Sequence, residues 1–201
     1  MGRRGIDTNS VKPICVVRGA PNSIQRPGGK LGYMSSRVEI VQAGPEHRRC
    51  LENLLELYIH DFSEFVPVDV GEDGRFGYAD LALYWSESHR RPFLARIEGK
   101  VAGFALVTRG PELDGSNEAW DMAEFFVLRR YRHRGYGTAI AETIWKLCPG
   151  RWQIRVRSNN LAARGFWESA IAQFLKAPVA SQEIGVGGVL WNRFLFQSCE
   201  P

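Results

Sequence analysis

The chain has 201 residues, of which 44% are hydrophobic and 24% are charged, a composition that predicts one globular domain with a full hydrophobic core. Its formal net charge is +4, but residues 1–33 carry six lysine or arginine side chains against one aspartate. Because the positive charge is confined to this short segment, the composition argues against nucleic-acid binding by the rest of the chain.

The first part of the chain, residues 1–36, is rich in Gly, Pro, Ser and Asn and shows neither helical nor alternating hydrophobic periodicity. We expect it to be a flexible basic leader that precedes a single domain over residues 37–201. Met34 stands directly before the first strand-like run, so it is a candidate natural start of translation. The leader lacks the amphipathic stripe that an organelle-targeting segment would show.

The sequence also argues against a membrane span and a metal site. No run of about 18 apolar residues is present, so no membrane-spanning helix is predicted. The four cysteines are widely separated, without a CxxC pair or a histidine at ligand spacing. We therefore expect a cytoplasmic protein with no metal, no membrane partner and no nucleic-acid partner.

The first half of the domain predicts a strand, a helix and a long loop. Residues 38–43 alternate and are β-branched, and Pro45 opens a helical repeat of apolar residues that extends to position 62. Residues 61–80 break this pattern with a proline and three glycines, and they hold six acidic side chains against one arginine. A short helix is predicted at 80–89.

The second half predicts a hairpin followed by alternating strands and helices. Residues 92–109 form two alternating runs around Glu98-Gly99-Lys100, and residues 122–128 are a nearly continuous apolar strand. The remaining predicted elements are a helix at 138–147, a strand at 152–158, a helix at 159–174 and a closing strand at 188–197. This order predicts one α/β domain with a mixed sheet and no internal repeat.

A glycine turn, RHRGYG at 132–137, separates the apolar strand from the next helix. Glycines that open a helix, with its free N–H groups and its dipole, are typical of phosphate-binding sites. A P-loop requires Gly-Lys-Ser/Thr, but Thr138 and Ala139 follow Gly137, and a dinucleotide fingerprint requires glycine where Ile140 stands. Both nucleotide interpretations are disfavoured, and a merely solvated basic turn stays open at this point.

The turn resembles the acetyl-coenzyme A turn of the GNAT superfamily of N-acetyltransferases, whose pattern is Gln/Arg-x-x-Gly-x-Gly/Ala. Arg132, Gly135 and Gly137 match it. A second motif, NNLAARGFW at 159–167, resembles the family's Asn-x-x-Ala-x-x-Phe-Tyr run, with Trp167 in place of the tyrosine. The two motifs stand in the family's order, and the resemblance extends over residues 38–196.

The resemblance implies the GNAT fold, in which a central, mixed and largely antiparallel sheet splays after its fourth strand and is flanked by helices. It implies acetyl-coenzyme A as the co-substrate, with the backbone of Phe126, Val127 and Leu128 along the pantetheine arm. The implied cofactor-binding residues in the two motifs are Arg132, His133, Arg134, Gly135, Tyr136, Gly137, Thr138, Asn160, Ala163 and Phe166.

The family's usual reaction is attack of an amine on the thioester, helped by a general base and by a backbone N–H that binds the carbonyl oxygen. By resemblance, the base is Glu124 and the backbone N–H is that of Leu128, with Val127 as the alternative. A carboxylate that pairs with a neighbouring arginine or faces water at the end of the sheet is the competing interpretation of Glu124. An indole is not a practical proton donor, so Trp167 leaves the general acid unassigned, although two tyrosines lie in the turn.

The leading interpretation is therefore an N-acetyltransferase that acts on a primary amine of a small molecule or peptide. The acidic segment 61–80 favours a cationic acceptor, although a solvated acidic loop explains it equally well. A non-catalytic sensor that binds acyl-coenzyme A is the alternative, favoured by Trp167. The aromatic residues Trp191, Phe194 and Phe196 would suit a homodimer contact, but hydrophobic core is the better explanation.

Overall fold

The computed structural model describes residues 38–115 and 117–199, so the predicted leader lies outside the described residues. The strands and α-helices of this part are β1 (Val38–Gln42), α1 (Arg48–Phe62), α2 (Leu83–Ser86), β2 (Arg90–Ile97), β3 (Lys100–Pro111), β4 (Glu118–Val127), α3 (Tyr136–Leu147), β5 (Gly150–Arg157), α4 (Leu161–Leu175), β6 (Gln182–Val186) and β7 (Val189–Ser198). Short 3-10 turns precede α1 and α2 and follow β4.

One mixed sheet contains these strands in the order β1-β2-β3-β4-β5-β7-β6. Every neighbouring pair is antiparallel except β4 and β5, which run parallel. Those two strands pair only at Trp120 with Trp152 and at Asp121 with Gln153. Beyond Asp121 they diverge, so the carboxyl-terminal half of β4 has a strand neighbour on one side only. The predicted splay after the fourth strand is confirmed.

The helices cover both faces of the sheet and bury two separate hydrophobic clusters. α3 and α4 pack on one face, where the fully buried Trp145 and Trp167 belong to the larger cluster. α1 and α2 cover the opposite face and form the smaller cluster with β2, β3 and β4. Trp191, Phe194 and Phe196 are buried in the larger cluster, so their burial requires no second copy of the chain.

A β-bulge in β4 decides which face of the sheet its carboxylates reach. Leu106 of β3 pairs with Glu124 and Val107 pairs with Met122, so Ala123 is an extra residue without a partner in β3. Side chains alternate between the faces of a strand, and one inserted residue reverses that alternation beyond it. Met122 therefore lies in the cluster under α3 and α4, whereas Glu124 faces α1 and α2.

Most predicted elements are confirmed, with two differences that have clear causes. β4 begins at Glu118 rather than at residue 122, because its first four residues include two carboxylates that an apolar pattern excludes. β6, at 182–186, is not predicted because most of its side chains are exposed and show no regular alternation. It pairs with β7 through a turn at Gly187 and Gly188, both of which have positive φ.

Gly103 allows β3 to approach β4 closely. A Cβ atom at this position would lie 2.1 Å from the carbonyl oxygen of Phe126, a backbone atom that cannot move aside without shifting the strand. We expect Gly103→Ala to lower the free energy of unfolding by about 1–3 kcal/mol, the usual cost of overpacking. Gly110→Ala in the same strand is the control, because no atom lies within 4 Å of its added Cβ. Equal thermal stability of the two variants would contradict the close contact.

Candidate active site

The glycine turn joins β4 to α3 and leaves the first N–H groups of that helix without helical partners. Gly135 precedes the helix with a φ of 80°, in the left-handed region that favours glycine, and His133 has a φ of 59°. The N–H of Ala139 donates to the carbonyl oxygen of Gly135 at 3.1 Å. The N–H groups of residues 136–138 come before this bond, at the positive end of the helix dipole. This geometry suits an anion.

A cavity of about 130 Å³ lies between the end of β4, the turn and α4. Its lining consists of Phe125, Val127, Arg132, His133, Gly135, Gly137, Thr138 and Phe166. Gly137 allows a close approach of the turn to α4, since a Cβ there would lie 3.1 Å from the ring of Phe166. The fold thus brings residues of both sequence motifs together around one cleft.

The orientation of the peptide groups in β4 shows which of them face the gap beside β5. The N–H of Leu128 donates to the carbonyl oxygen of Ala102, next to β3, at 2.8 Å. The carbonyl oxygen of Phe126 also faces β3. Successive residues of an antiparallel pair alternate in the direction of their N–H and C=O groups. The backbone groups of Phe125 and Val127 therefore point toward the gap.

This orientation changes the predicted roles of the strand residues. The prediction that Leu128 provides the oxyanion-binding N–H is wrong, because that N–H is bonded to the neighbouring chain segment and points away from the gap. Of the three residues expected along the pantetheine arm, only Val127 directs its backbone groups toward the gap. Phe125, which was not predicted, faces the gap as well. The carbonyl oxygen of Val127 accepts a hydrogen bond from Nε of Arg132 at 2.6 Å, which fixes the turn to the strand.

The side chain of Arg132 is buried and stabilises the turn from inside the protein. Its Nη2 donates to Oδ2 of Asp61 in α1 at 2.7 Å, and the other oxygen of Asp61 pairs with Arg129. Burial alone raises the pKa of the Asp61 carboxyl, but hydrogen bonds from the two arginines outweigh it and hold this pKa below its ordinary value. The charge of Arg132 is thus neutralised internally, and the exposed Arg134 provides accessible positive charge in the turn.

The motif at the start of α4 is mainly structural. The side-chain oxygen of Asn160 accepts a hydrogen bond from the N–H of Ala163 at 3.0 Å and caps the helix. Both residues are fully buried, so neither offers surface to a ligand, contrary to the prediction that they contact the cofactor. Phe166 lines the cavity, and its contact with the cofactor stays a prediction. Trp167 is fully buried, with its ring 5.0 Å from that of Phe125.

Glu124 is a fully buried carboxylate on the opposite face of the sheet. Tyr58 of α1 donates its hydroxyl to Oε2 at 2.5 Å, and Tyr78 donates its hydroxyl to Oε1 at 3.0 Å. Burial raises the pKa of Glu124 well above its ordinary value, although the hydrogen bonds from the two tyrosines oppose this rise. The competing interpretation was an arginine ion pair, but the direct partners are hydroxyls and Arg155 contributes only through its charge.

The sequence pattern does not identify Tyr58 or Tyr78 as site residues. Tyr58 belongs to the apolar stripe of α1, and Tyr78 lies in the irregular segment between α1 and α2. They are 66 and 46 residues away from Glu124 in the chain, so only the fold brings these groups together. A hydroxyl at a core position of an amphipathic helix, which requires a buried partner, is the single hint in the sequence.

Two kinds of feature are not found in the described part of the chain. No group of three or more His, Cys, Asp or Glu side chains in residues 38–115 and 117–199 is placed to hold a metal ion. Within the same ranges, no helix has both the length and the apolar character needed to cross a membrane.

The chain matches the model of the Acetyltransferase (GNAT) family over residues 51–171, more than half of its length, and it therefore belongs to this family. Among solved structures it is similar to an acetyltransferase from Thermus thermophilus, at 15% sequence identity and a TM-score of 0.57, with 80% of this chain and 96% of that chain covered. A comparison with curated proteins found no match.

Two further solved structures with similar folds carry more specific names. An aminoglycoside N(6')acetyltransferase from Legionella pneumophila matches at 10% identity and a TM-score of 0.56, with 83% of this chain and 95% of that chain covered. A chimeric spermidine N-acetyltransferase from Vibrio cholerae matches at 10% identity and a TM-score of 0.51, with 81% and 96% covered. At these identities the likeness shows a shared fold.

Proposed function

We propose that this protein transfers the acetyl group of acetyl-coenzyme A to a primary amine. The observation that carries the proposal is the cleft between the glycine turn, the open edge of β4 at Phe125 and Val127, and Phe166 of α4. Membership in the GNAT family supports acetyl transfer, and the names of two structural relatives give amine acceptors. The thioester of the co-substrate supplies an activated acyl group.

The residues of the cleft fit coenzyme A. The N–H groups of residues 136–138 and the exposed basic side chains of the turn would hold the diphosphate. The peptide groups of Phe125 and Val127, which have no partner strand on the β5 side, would bind the pantetheine arm as an added strand. The N–H of Phe125 lies further from the turn and next to Glu124, so it is the proposed donor to the acyl carbonyl oxygen.

Glu124 is the proposed general base, and it receives the amine proton through Tyr78. The carboxylate and Tyr58 are fully buried, whereas Tyr78 is half-buried and lines a cavity beside α1. The amine passes a proton to the hydroxyl oxygen of Tyr78 while Tyr78 passes its own hydroxyl proton to Glu124. Burial, together with the charge of Glu124, raises the pKa of Tyr78 well above its ordinary value, so its hydroxyl keeps its proton between turnovers.

The cavity beside Tyr78 supports a cationic acceptor. Its volume is about 360 Å³, and the charged residues of its lining are Glu52, Glu56, Asp73 and Arg75. The sequence analysis expected the acidic segment 61–80 to attract a cationic acceptor. Asp61, however, is buried against two arginines, and Asp73 is the only acid of that segment that lines the cavity. We propose an amine acceptor with a second positive charge, attracted mainly by carboxylates of α1.

Binding of the co-substrate is tested by thermal unfolding with and without acetyl-coenzyme A. A concentration of 100 times the dissociation constant should stabilise the fold by about 2.7 kcal/mol, because the ligand binds the folded state alone. Arg134→Ala should reduce this stabilisation, since it removes an exposed positive charge of the turn. Arg164→Ala, which removes an equally exposed arginine from α4, is the control and should leave it unchanged. Absence of stabilisation would overturn the proposed function.

The same samples, mixed with a panel of amines and assayed for free thiol, separate an enzyme from a binding protein. Release of thiol with at least one amine supports acetyl transfer. Stabilisation without thiol release across the panel would instead support a non-catalytic sensor of acyl-coenzyme A. Trp167 is the structural feature that favours this second function, because a buried indole stands where relatives place a tyrosine and offers no proton for a leaving thiolate.

Replacement of the base should remove a pH-dependent step. We expect Glu124→Gln to lower kcat by about 10²–10⁴-fold, the usual contribution of a general base. A base must be ionised, so the wild-type kcat should rise with pH along a limb placed above 4.5, and the variant should lack this limb. Glu168→Gln, at an exposed position of α4, is the control. An unchanged pH profile in Glu124→Gln would exclude Glu124 as the base.

The raised pKa of Glu124 also has a consequence for stability. A group whose folded pKa exceeds its unfolded value favours the folded state at low pH, and this contribution is lost as the pH rises through the folded pKa. Glu124→Gln should therefore gain stability relative to the wild type as the pH rises above 4.5. Thermal unfolding across pH measures this difference without any assay of turnover.

Removing negative charge from the cavity should weaken the binding of a cationic acceptor. We expect the double variant Glu52→Gln and Asp73→Asn to raise the KM for spermidine about three- to tenfold, since each solvent-accessible charge contributes ~0.3–0.7 kcal/mol. The pair Asp69→Asn and Glu72→Gln removes two exposed acids outside the lining and is the control. An equal KM in both double variants would contradict binding of the acceptor at this cavity.

A further inference from the structure

One carboxylate of α1 binds three successive residues of the irregular segment between α1 and α2. Oε2 of Glu56 accepts a hydrogen bond from the N–H of Phe76 at 2.7 Å, and Oε1 accepts one from the N–H of Gly77 at 3.1 Å. Nε of Arg75 lies 3.5 Å from the same Oε1 atom. The next residue along the chain is Tyr78, the proposed proton relay. Glu56 thus holds the backbone directly before this relay.

The segment has few other means of keeping its course. Residues 67–78 contain neither helix nor strand. The N–H of Gly71 donates to the carbonyl oxygen of Arg75 at 2.8 Å, and the N–H of Gly74 donates to that of Gly71 at 2.9 Å. These bonds close a turn within the segment and do not attach it to the domain. The bonds to Glu56 provide such an attachment, because their acceptor belongs to a helix of 15 residues.

The conformation of Gly77 brings the two N–H groups to one anion. Its φ is 71°, in the left-handed region that favours glycine. Successive N–H groups around a residue of this kind form a concave site for a negative charge. No atom lies within 4 Å of a Cβ atom added at this position, so Gly77→Ala would strain the backbone without causing a clash.

Both hydroxyl groups that donate to Glu124 are therefore set by α1. Tyr58 belongs to this helix and donates at 2.5 Å, whereas Tyr78 is tied to it through Glu56 and donates at 3.0 Å. Glu56 and residues 75–78 also line the acceptor cavity of about 360 Å³. Release of the segment would take the hydroxyl of Tyr78 away from Oε1 of Glu124 and remove the path between the carboxylate and the cavity.

We propose that Glu56 is a positioning residue whose carboxylate holds residues 75–77 against α1, so that the hydroxyl of Tyr78 stays in contact with Glu124 and with the acceptor cavity. The inference rests on the proposed function, because it assigns a supporting residue to the same base. It gives Glu56 a role that attraction of a cationic acceptor does not require. Glu56 acts on Glu124 through Tyr78.

The charged and titratable groups that face Glu124 come from every element around it. They are Tyr58 of α1, Tyr78 of the segment before α2, Tyr84 of α2, Asp121 of β4 and Arg155 of β5. The two hydrogen bonds and the charge of Arg155 favour ionised Glu124, whereas Asp121 opposes it. Loss of the donor Tyr78 should therefore move the titration of Glu124 to higher pH.

The first test measures kcat across pH with acetyl-coenzyme A and saturating spermidine. We expect Glu56→Ala to lower kcat about ten- to hundredfold, because a displaced proton-transfer group is no longer aligned, and to shift the rising limb of the profile to higher pH. Glu56→Gln keeps one acceptor oxygen and should show smaller changes in the same direction. The KM for acetyl-coenzyme A should stay unchanged in both variants.

Two control pairs separate the position of the segment from the charge of the cavity. Glu52 lines the same cavity but bonds to Arg48 of its own helix, so Glu52→Gln should raise the KM for spermidine without moving the limb. Gly77→Ala keeps the charge of Glu56 and should move the limb. Gly74→Ala introduces the same kind of strain, at a φ of 75°, away from the contacts of Glu56, and should leave the limb in place.

A second readout does not depend on turnover. The stability that Glu124 contributes is lost as the pH rises through its folded pKa, so thermal stability across pH, measured for each variant with and without Glu124→Gln, isolates its titration. A shift to higher pH in Glu56→Gln that disappears when Tyr78→Phe is added supports the positioning role. This result holds even if no amine is acetylated, in which case the proposed function alone has failed.

Three results would overturn the inference. The first is an unshifted titration of Glu124 in both Glu56 variants. The second is the same shift in Glu52→Gln, which would show that loss of charge alone is the cause. The third is a shift in Glu56→Gln that persists in the Tyr78→Phe background, because the effect of Glu56 would then not pass through Tyr78.

Discussion

The parallel strands β4 and β5 share only two pairs of residues, and the geometry of the whole cleft depends on their divergence. A central strand normally has both of its edges occupied, because unpaired buried peptide groups are unfavourable. Here one edge of β4, at Phe125 and Val127, is left open between two well-packed layers. The open edge provides a linear row of donors and acceptors, and the glycine turn places the free N–H groups of α3 at its end.

The two sides of the site are joined by one buried carboxylate. Asp61 belongs to the helix that carries Tyr58, yet it binds Arg129, which follows β4, and Arg132 of the glycine turn. A buried arginine without a partner is strongly destabilising, so the turn and α1 are held in one arrangement. The glycine turn and α1 are thus tied together by direct contacts, although the residues that join them lie about 70 positions apart in the chain.

The fold could be predicted well from the sequence because helices and strands are specified by patterns of neighbouring residues. Periodicity located nearly every helix and strand, and the two motifs predicted the turn and the cavity wall. The errors concern side chains whose role depends on partners that are distant in the sequence. Arg132 and Asn160 are residue types that often contact ligands, but both side chains are engaged within the protein. Arg132 bonds to Asp61, and Asn160 caps the start of α4. The tyrosines around Glu124 come from separate elements, which no local pattern connects.

The bulge at Ala123 shows that the site depends on how β4 pairs with β3 as well as on the residues that β4 contains. Regular pairing of the same residues, without the bulge, would leave the composition, the hydrophobic pattern and both motifs of the chain intact. With the pairing of residues 118–122 unchanged, it would nevertheless place Glu124 on the face of Met122, in the aromatic core beneath α3 and α4, and turn an apolar neighbour toward α1. The presence of a bulge in β4 is thus a route by which a chain of this fold gains or loses a buried carboxylate while its two motifs stay unaltered.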